Sequence, residues 1–259
     1  MISIVRIFAL AVATTVVVLA MAGPSSAQHH EHSDVHLHVE LGELHAEPPV
    51  VEGHFGDGID LPLYRAVNPG FGFHASQAGV TLDFDLLPID IDTTARNLWY
   101  WDGAGSVAFG PSPHDLRVSH PTVPPSVVQV APADSARIPG FDIGTSVETS
   151  PGSGEFEVHQ HLWFDLVDSS GTPIAAPDDG VYLWATDFGV STPGVDPSEP
   201  VLWVMGRGVE ETVHEAAHEW VESHVVPEPT TLTLTAVAVA LLLTTTGRRR
   251  RGGPACAKA

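Results

Sequence analysis

The stretch Gly154-Glu155-Phe156-Glu157-Val158-His159-Gln160-His161-Leu162-Trp163-Phe164-Asp165-Leu166-Val167-Asp168 decides the fold class. In an extended chain, Phe156, Val158, Gln160, Leu162, Phe164 and Leu166 share one face. Glu157, His159, His161, Trp163 and Asp165 share the other. Alternation with a period of two marks a strand with one face in a core. The reading is one long strand, closed by the turn residues Ser169-Ser170-Gly171.

The same pattern recurs on both sides. Val35 to Leu41 alternates strictly, with His36, His38 and Glu40 on the polar face, until Glu47-Pro48-Pro49 interrupts. Val80 to Leu86 alternates with apolar residues at even positions. Leu98 to Trp101 runs into Asp102-Gly103, and Ser106 to Phe109 is placed as its returning hairpin partner. Leu116 to Ser119 and Val127 to Ala131 are short strands between proline-rich breaks. Asp178-Asp179-Gly180 turns into Val181 to Phe188, and Val201 to Met205 is the last strand. Turn residues between short alternating segments predict an all-β fold, an antiparallel β-sandwich that is jelly-roll-like or an open barrel. Only Glu210 to His224 breaks the pattern, with Val213, Ala217 and Val221 recurring at helical spacing. It predicts a short amphipathic C-terminal helix over 210–225.

The two ends read differently. Arg6, an apolar run from Ile7 to Ala22 and the small residues Ser25-Ser26-Ala27 predict a secretory signal helix over 1–27. At the other end, Val226-Pro227-Glu228-Pro229 is followed by an uncharged segment, Thr230 to Thr246, then Gly247 and the cluster Arg248, Arg249, Arg250 and Arg251. The uncharged segment is of the shortest length that spans a bilayer as a helix. An arginine cluster holds its own end on the cytoplasmic side. These parts, in this order, resemble the PEP-CTERM sorting signal of bacterial surface proteins. The resemblance covers 226–251. It implies an exosortase-type processing enzyme as partner, transient anchoring in the inner membrane, and display at the cell surface or in the extracellular matrix. A looser resemblance, carried by Asn68-Pro69-Gly70-Phe71, Trp101-Asp102-Gly103, His159-Gln160-His161 and Gly180-Val181-Tyr182-Leu183, is to the β-rich domains of uncharacterised PEP-CTERM proteins. It implies no known activity.

The expected organisation is thus a signal peptide (1–27), a His-rich segment with one strand (28–54), a β-sandwich domain (55–209), the helix (210–225), the sorting signal (226–251) with its membrane helix (230–246), and a cytoplasmic tail (252–259).

Charge narrows the partners. All 32 acidic residues lie between Gln28 and Pro229, against only Arg65, Arg96, Arg117, Arg137 and Arg207. Such a surface repels nucleic acid, which is excluded as a partner, and favours diffuse binding of cations. Surface polysaccharide or other matrix components fit an exported domain of this kind. The only cysteine, Cys256, lies beyond the arginine cluster, so stability must come from a packed core or a bound metal.

Three constellations could carry chemistry. His214-Glu215-Ala216-Ala217-His218 is an H-E-x-x-H, which on a helix sets two imidazoles on one side with Glu as potential base. The metzincin extension asks for Gly three residues after the second His, where Val221 stands, and no Met-turn follows. The match is therefore read as coincidental, with His214 and His218 on an exposed helix face. His159 and His161 are alternate strand residues and can converge on a metal, with His36, His38 or Asp165 as a third ligand. Gly154, Asp165 and Gly171 around them resemble a first cupin motif, but the second cupin motif is absent. Finally, His36 and His38 with Glu40 and the preceding His29, His30 and His32 form a candidate site for Zn²⁺, Cu²⁺ or Ni²⁺. The expectation is an exported structural or adhesive protein with no cofactor and no catalytic residues. The alternative is a His-rich protein binding Zn²⁺ or another divalent transition metal, or, less favoured, a zincin-like or cupin-like metalloenzyme.

Overall fold

A computed structural model describes residues 34–58, 60–121 and 126–226. The signal segment, Pro227, Glu228, Pro229, the 230–246 segment and Arg248 to Arg251 lie outside the described residues. In chain order the strands are β1 Val35–Glu40, β2 Glu43–Glu47, β3 Val50–His54, β4 Arg65–Ala66, β5 Phe71–Ala75, β6 Thr81–Leu87, β7 Ile89–Ile91, β8 Thr94–Arg96, β9 Trp99–Trp101 and β10 Gly110–Pro111. They continue with β11 Asp115–Ser119, β12 Val127–Val130, β13 Ile138–Thr145, β14 Val147–Glu148, β15 Phe156–Gln160, β16 Trp163–Val167, β17 Gly180–Val190 and β18 Val201–Arg207. One helix, α1 Glu211–His224, follows. The protein is thus mostly strand with a short C-terminal helix. Among the described residues no helix is long and apolar enough to cross a membrane.

The central sheet is built on β17, which is long enough to take different neighbours along its length. Its first half pairs with β9, its second half with β6, and its other edge with β18. Nine consecutive residues of β17, from Gly180 to Phe188, are buried, so both faces of this sheet are covered. Tyr182, Trp184, Phe188, Trp203 and Met205 enter one core cluster. Val181, Leu183, Ala185, Leu202 and Val204 enter a second. Near-continuous apolar sequence is what two buried faces require. The second cluster is closed by Ala217 and Val221 of α1 and by Ile89 and Ile91 of the β7–β8 ribbon.

The first cluster is closed by two further sheets, ordered β14-β15-β5-β1-β2 and β12-β11-β16-β4. Here the deciding stretch departs from its reading as one strand. β15 ends at Gln160 and belongs to the first of these sheets; β16 begins at Trp163 and belongs to the second. The chain changes sheets at His161-Leu162. The alternation survives the change, because Val158, Leu162, Phe164 and Leu166 all face the same core. Periodicity reports which face is buried and is blind to which sheet supplies the neighbour.

Three other expectations are corrected. The sheets are not purely antiparallel: β1 runs parallel to β5, and β3 parallel to β18. Both pairs join segments far enough apart in sequence to allow the crossover that parallel pairing needs. The segment 28–54, expected to hold one strand, holds β1, β2 and β3, the last in the central sheet. The partner of β9 is Gly110–Pro111 rather than Ser106 to Phe109.

Candidate metal centre

The outer face of the β14-β15-β5-β1-β2 sheet is lined by histidine and glutamate. Register places His159 beside Gly72, Gly72 beside His36, and His36 beside Glu47. In the next rows, Glu157 lies beside His74 and His38 beside His45. The rings of His38 and His45 stack with centroids 5.4 Å apart. Each of these residues alternates with one buried in the core, such as Leu37, Phe73 or Val158, which fixes the imidazoles on the solvent side.

At the end of this face, where β15 breaks, Asp34, His159 and His161 converge. One ligand atom from each lies within 4.8 Å of the others. Nε2 of His159 is 3.0 Å from Asp34 Oδ2. For comparison, two ligands ~2.0–2.1 Å from one tetrahedral zinc stand roughly 3.3 Å apart. The His159 and His161 ring centroids are 5.3 Å apart.

The surroundings orient each ligand. The loop Val67–Gly70 does most of this. Nδ1 of His161 is 3.0 Å from the Val67 carbonyl and donates to it, which leaves Nε2 as the lone-pair nitrogen. The Gly70 amide donates to Asp34 Oδ1 at 2.8 Å, leaving Oδ2 for His159. Metal-ligating histidines and carboxylates are held by such outer bonds to backbone groups. Gly70 is required sterically. A Cβ there would lie 2.6 Å from His161 Cε1 and 2.9 Å from the Gln160 carbonyl.

The third ligands named from the sequence are elsewhere. His36 and His38 stay on the open face, both on β1, two strands from His159 and outside the convergent group. Asp165 is wholly buried and bound to two arginines. Arg65 donates to it through Nε at 2.6 Å and Nη2 at 2.9 Å, and Arg117 through Nη2 at 2.6 Å. The register places Arg65, Asp165 and Arg117 side by side on β4, β16 and β11. The guanidinium of Arg65 also lies 3.9 Å from the centre of the Trp163 ring. The acidic position of the cupin-like run is therefore committed to an ion-pair row.

The helix differs from its reading too. His214 does not sit on an exposed face: it is fully buried, on the stripe formed with Ala217 and Val221. A polar residue hid the i, i+3, i+7 continuity of that stripe. Its Nε2 donates to the Val204 carbonyl at 2.9 Å. Burial pushes its pKa below the ordinary imidazole value, partly countered by that bond and by Glu52 and Glu211. His218 joins no convergent group among the described residues; its Nδ1 lies 4.0 Å from Glu222. His224 stacks on Trp220 and donates to the Trp220 carbonyl through Nδ1 at 2.9 Å.

Sequence reasoning missed Asp34, which reaches the histidines from a position 125 residues away in the chain. Its signal was weak: a carboxylate immediately ahead of an alternating strand. No family model, curated protein or solved structure matches this chain.

Proposed function

We propose that this chain is an exported, non-catalytic surface protein that binds a divalent transition-metal ion on the histidine-lined sheet, with Asp34, His159 and His161 as its central ligands. The observation carrying this reading is the convergence of those three ligand atoms within 4.8 Å, each oriented by a backbone or carboxylate bond. Two imidazoles and one carboxylate suit Zn²⁺, and also Ni²⁺ or Cu²⁺. His36, His38, His45 and His74 on the same face supply further imidazoles of lower organisation, which would raise the local concentration of captured ions. The strongly acidic composition adds a diffuse attraction for cations.

Export is part of the proposal and is supported by the two termini of the sequence. The signal segment would direct secretion. The Pro227-Glu228-Pro229 tail and its arginine cluster would be read by an exosortase-type enzyme in the inner membrane, releasing a β-sandwich body to the surface or matrix. A structural or adhesive role there is compatible with metal capture, since a bound ion can cross-link neighbouring matrix components.

The test is metal content. Purified protein reconstituted with Zn²⁺ and desalted should retain about one equivalent or more, and its melting temperature should rise with added Zn²⁺. Retention below about a tenth of an equivalent, with no thermal shift, would leave only the structural or adhesive role. Intact-mass spectrometry of the envelope form checks the sorting claim: Arg248 to Ala259 should be missing.

A further inference from the structure

A second group of ligands lies at the other side of the molecule's core, where the end of β3 meets the start of α1. We propose that His54, Glu211 and His214 form a distinct transition-metal site that clasps α1 to the central sheet. One ligand atom from each of the three lies within 4.8 Å of the others. Nε2 of His54 is 3.8 Å from Glu211 Oε2, and the His54 and His214 rings meet edge to face with centroids 4.4 Å apart.

The helix sets this up. Glu211 and His214 are i and i+3 in its first turn and so share one side. His54 is the last residue of β3 and pairs in register with Gly206 of β18, where a Cβ would lie 2.8 Å from His54 Nδ1. Glycine at 206 leaves room for the imidazole beside the backbone.

An independent observation points to a ligand. His214 is fully buried, and its Nε2 hydrogen is given to the Val204 carbonyl. Its Nδ1 is then a lone pair, and that atom is buried with no hydrogen-bond partner. Buried acceptors without partners are uncommon in folded proteins. A neutral imidazole whose one nitrogen donates to a backbone carbonyl, and whose other nitrogen is open, is the form in which histidine binds metal. Two imidazoles and one carboxylate from strand and helix complete a three-ligand set suited to Zn²⁺ or Co²⁺, with a fourth position for water. The H-E-x-x-H thus contributes its first histidine, joined to Glu211 upstream and to His54 from a strand, while His218 stays outside.

This site stands apart from the Asp34 group and shares no residue with it, so the two can fail separately. The experiment is hydrogen exchange read by mass spectrometry on the full chain in detergent, with and without Zn²⁺ as the only added probe. Zn²⁺ should slow amide exchange about tenfold or more over 211–217 and 50–54. That protection should vanish in His54→Ala combined with Glu211→Gln, and should persist in His159→Ala combined with His161→Ala. Exchange of the metal-free His54/Glu211 variant, compared with the parent, verifies that α1 remains docked; His54→Gln is the milder replacement. Wild-type protein that shows no Zn²⁺-dependent protection at 211–217 would overturn the proposal. So would protection that survives a docked His54/Glu211 variant.

Discussion

The two halves of Gly154–Asp168 contain similar residues and end differently. In β15 and the residue that follows it, His159 and His161 meet Asp34 at a solvent-facing corner, each oriented but with a ligand atom to spare. In β16, Asp165 lies in the interior with both oxygens taken by Arg65 and Arg117. The difference teaches that a titratable side chain is available chemistry only when its partners leave coordination unspent. Buried and saturated, a carboxylate belongs to the architecture. Half-exposed, with one oxygen held by a backbone amide and the other facing an imidazole, it is placed to share an ion with that imidazole.

The sharpest way to break that comparison is at Asp165. Asp165→Ala would leave two guanidinium groups part-buried without their anion. It should destabilise the fold by about 3–5 kcal/mol, measured by urea unfolding, because removing one member of a buried ion pair exposes the desolvation cost of the other. Metal stoichiometry in the surviving folded fraction should be unchanged. His159→Ala with His161→Ala should behave oppositely: Zn²⁺ affinity at the corner should fall about a hundredfold by calorimetry, a loss of about 2.7 kcal/mol in binding. Metal-free stability should fall by no more than about 1–2 kcal/mol, the cost of losing the part-buried bond from His161 to the Val67 carbonyl, well short of the Asp165 effect.

How legible was this contrast beforehand? Face assignments were legible: Val158, Leu162, Phe164 and Leu166 are buried as their alternation predicts. So was the helix, to within one residue at its start. Strand partners were not. Nothing local in Val35–Glu40 states that it lies parallel to Phe71–Ala75, or that Asp34 would arrive beside His159. Ligand sets made across strands depend on register between distant segments, and a single sequence does not contain that register. Asp165 misled for a related reason: its alternation pointed outward, yet the arginines beside it in the sheet allow burial.

Two smaller effects sharpen the picture. Gly70→Ala should cost about 1–3 kcal/mol through overpacking, since its Cβ would meet His161 and the Gln160 carbonyl. It should also weaken metal binding, coupling the loop to the site in one variant. The smallest effect is a pH dependence. Burial lowers the pKa of His214 in the folded state. The unfolded chain then binds the extra proton first, so stability is full above the ordinary imidazole value near 6.5 and falls as pH drops below it. In metal-free protein, His214→Asn should flatten the fall in unfolding free energy as pH drops below about 6.5 relative to the parent, though its overall stability will be lower.

The arginines have one more consequence, for resistance to proteolysis. Each of the five between residues 28 and 226 donates to an oxygen of its own chain: Arg65 and Arg117 to Asp165, Arg137 to Asp85 and Asp187, Arg207 to Asp179, and Arg96 to the Pro132 carbonyl. The same span has no lysine. A trypsin-like peptidase therefore meets a coat with almost nothing to grip, and half-exposed Arg137 is the bond it would nick first.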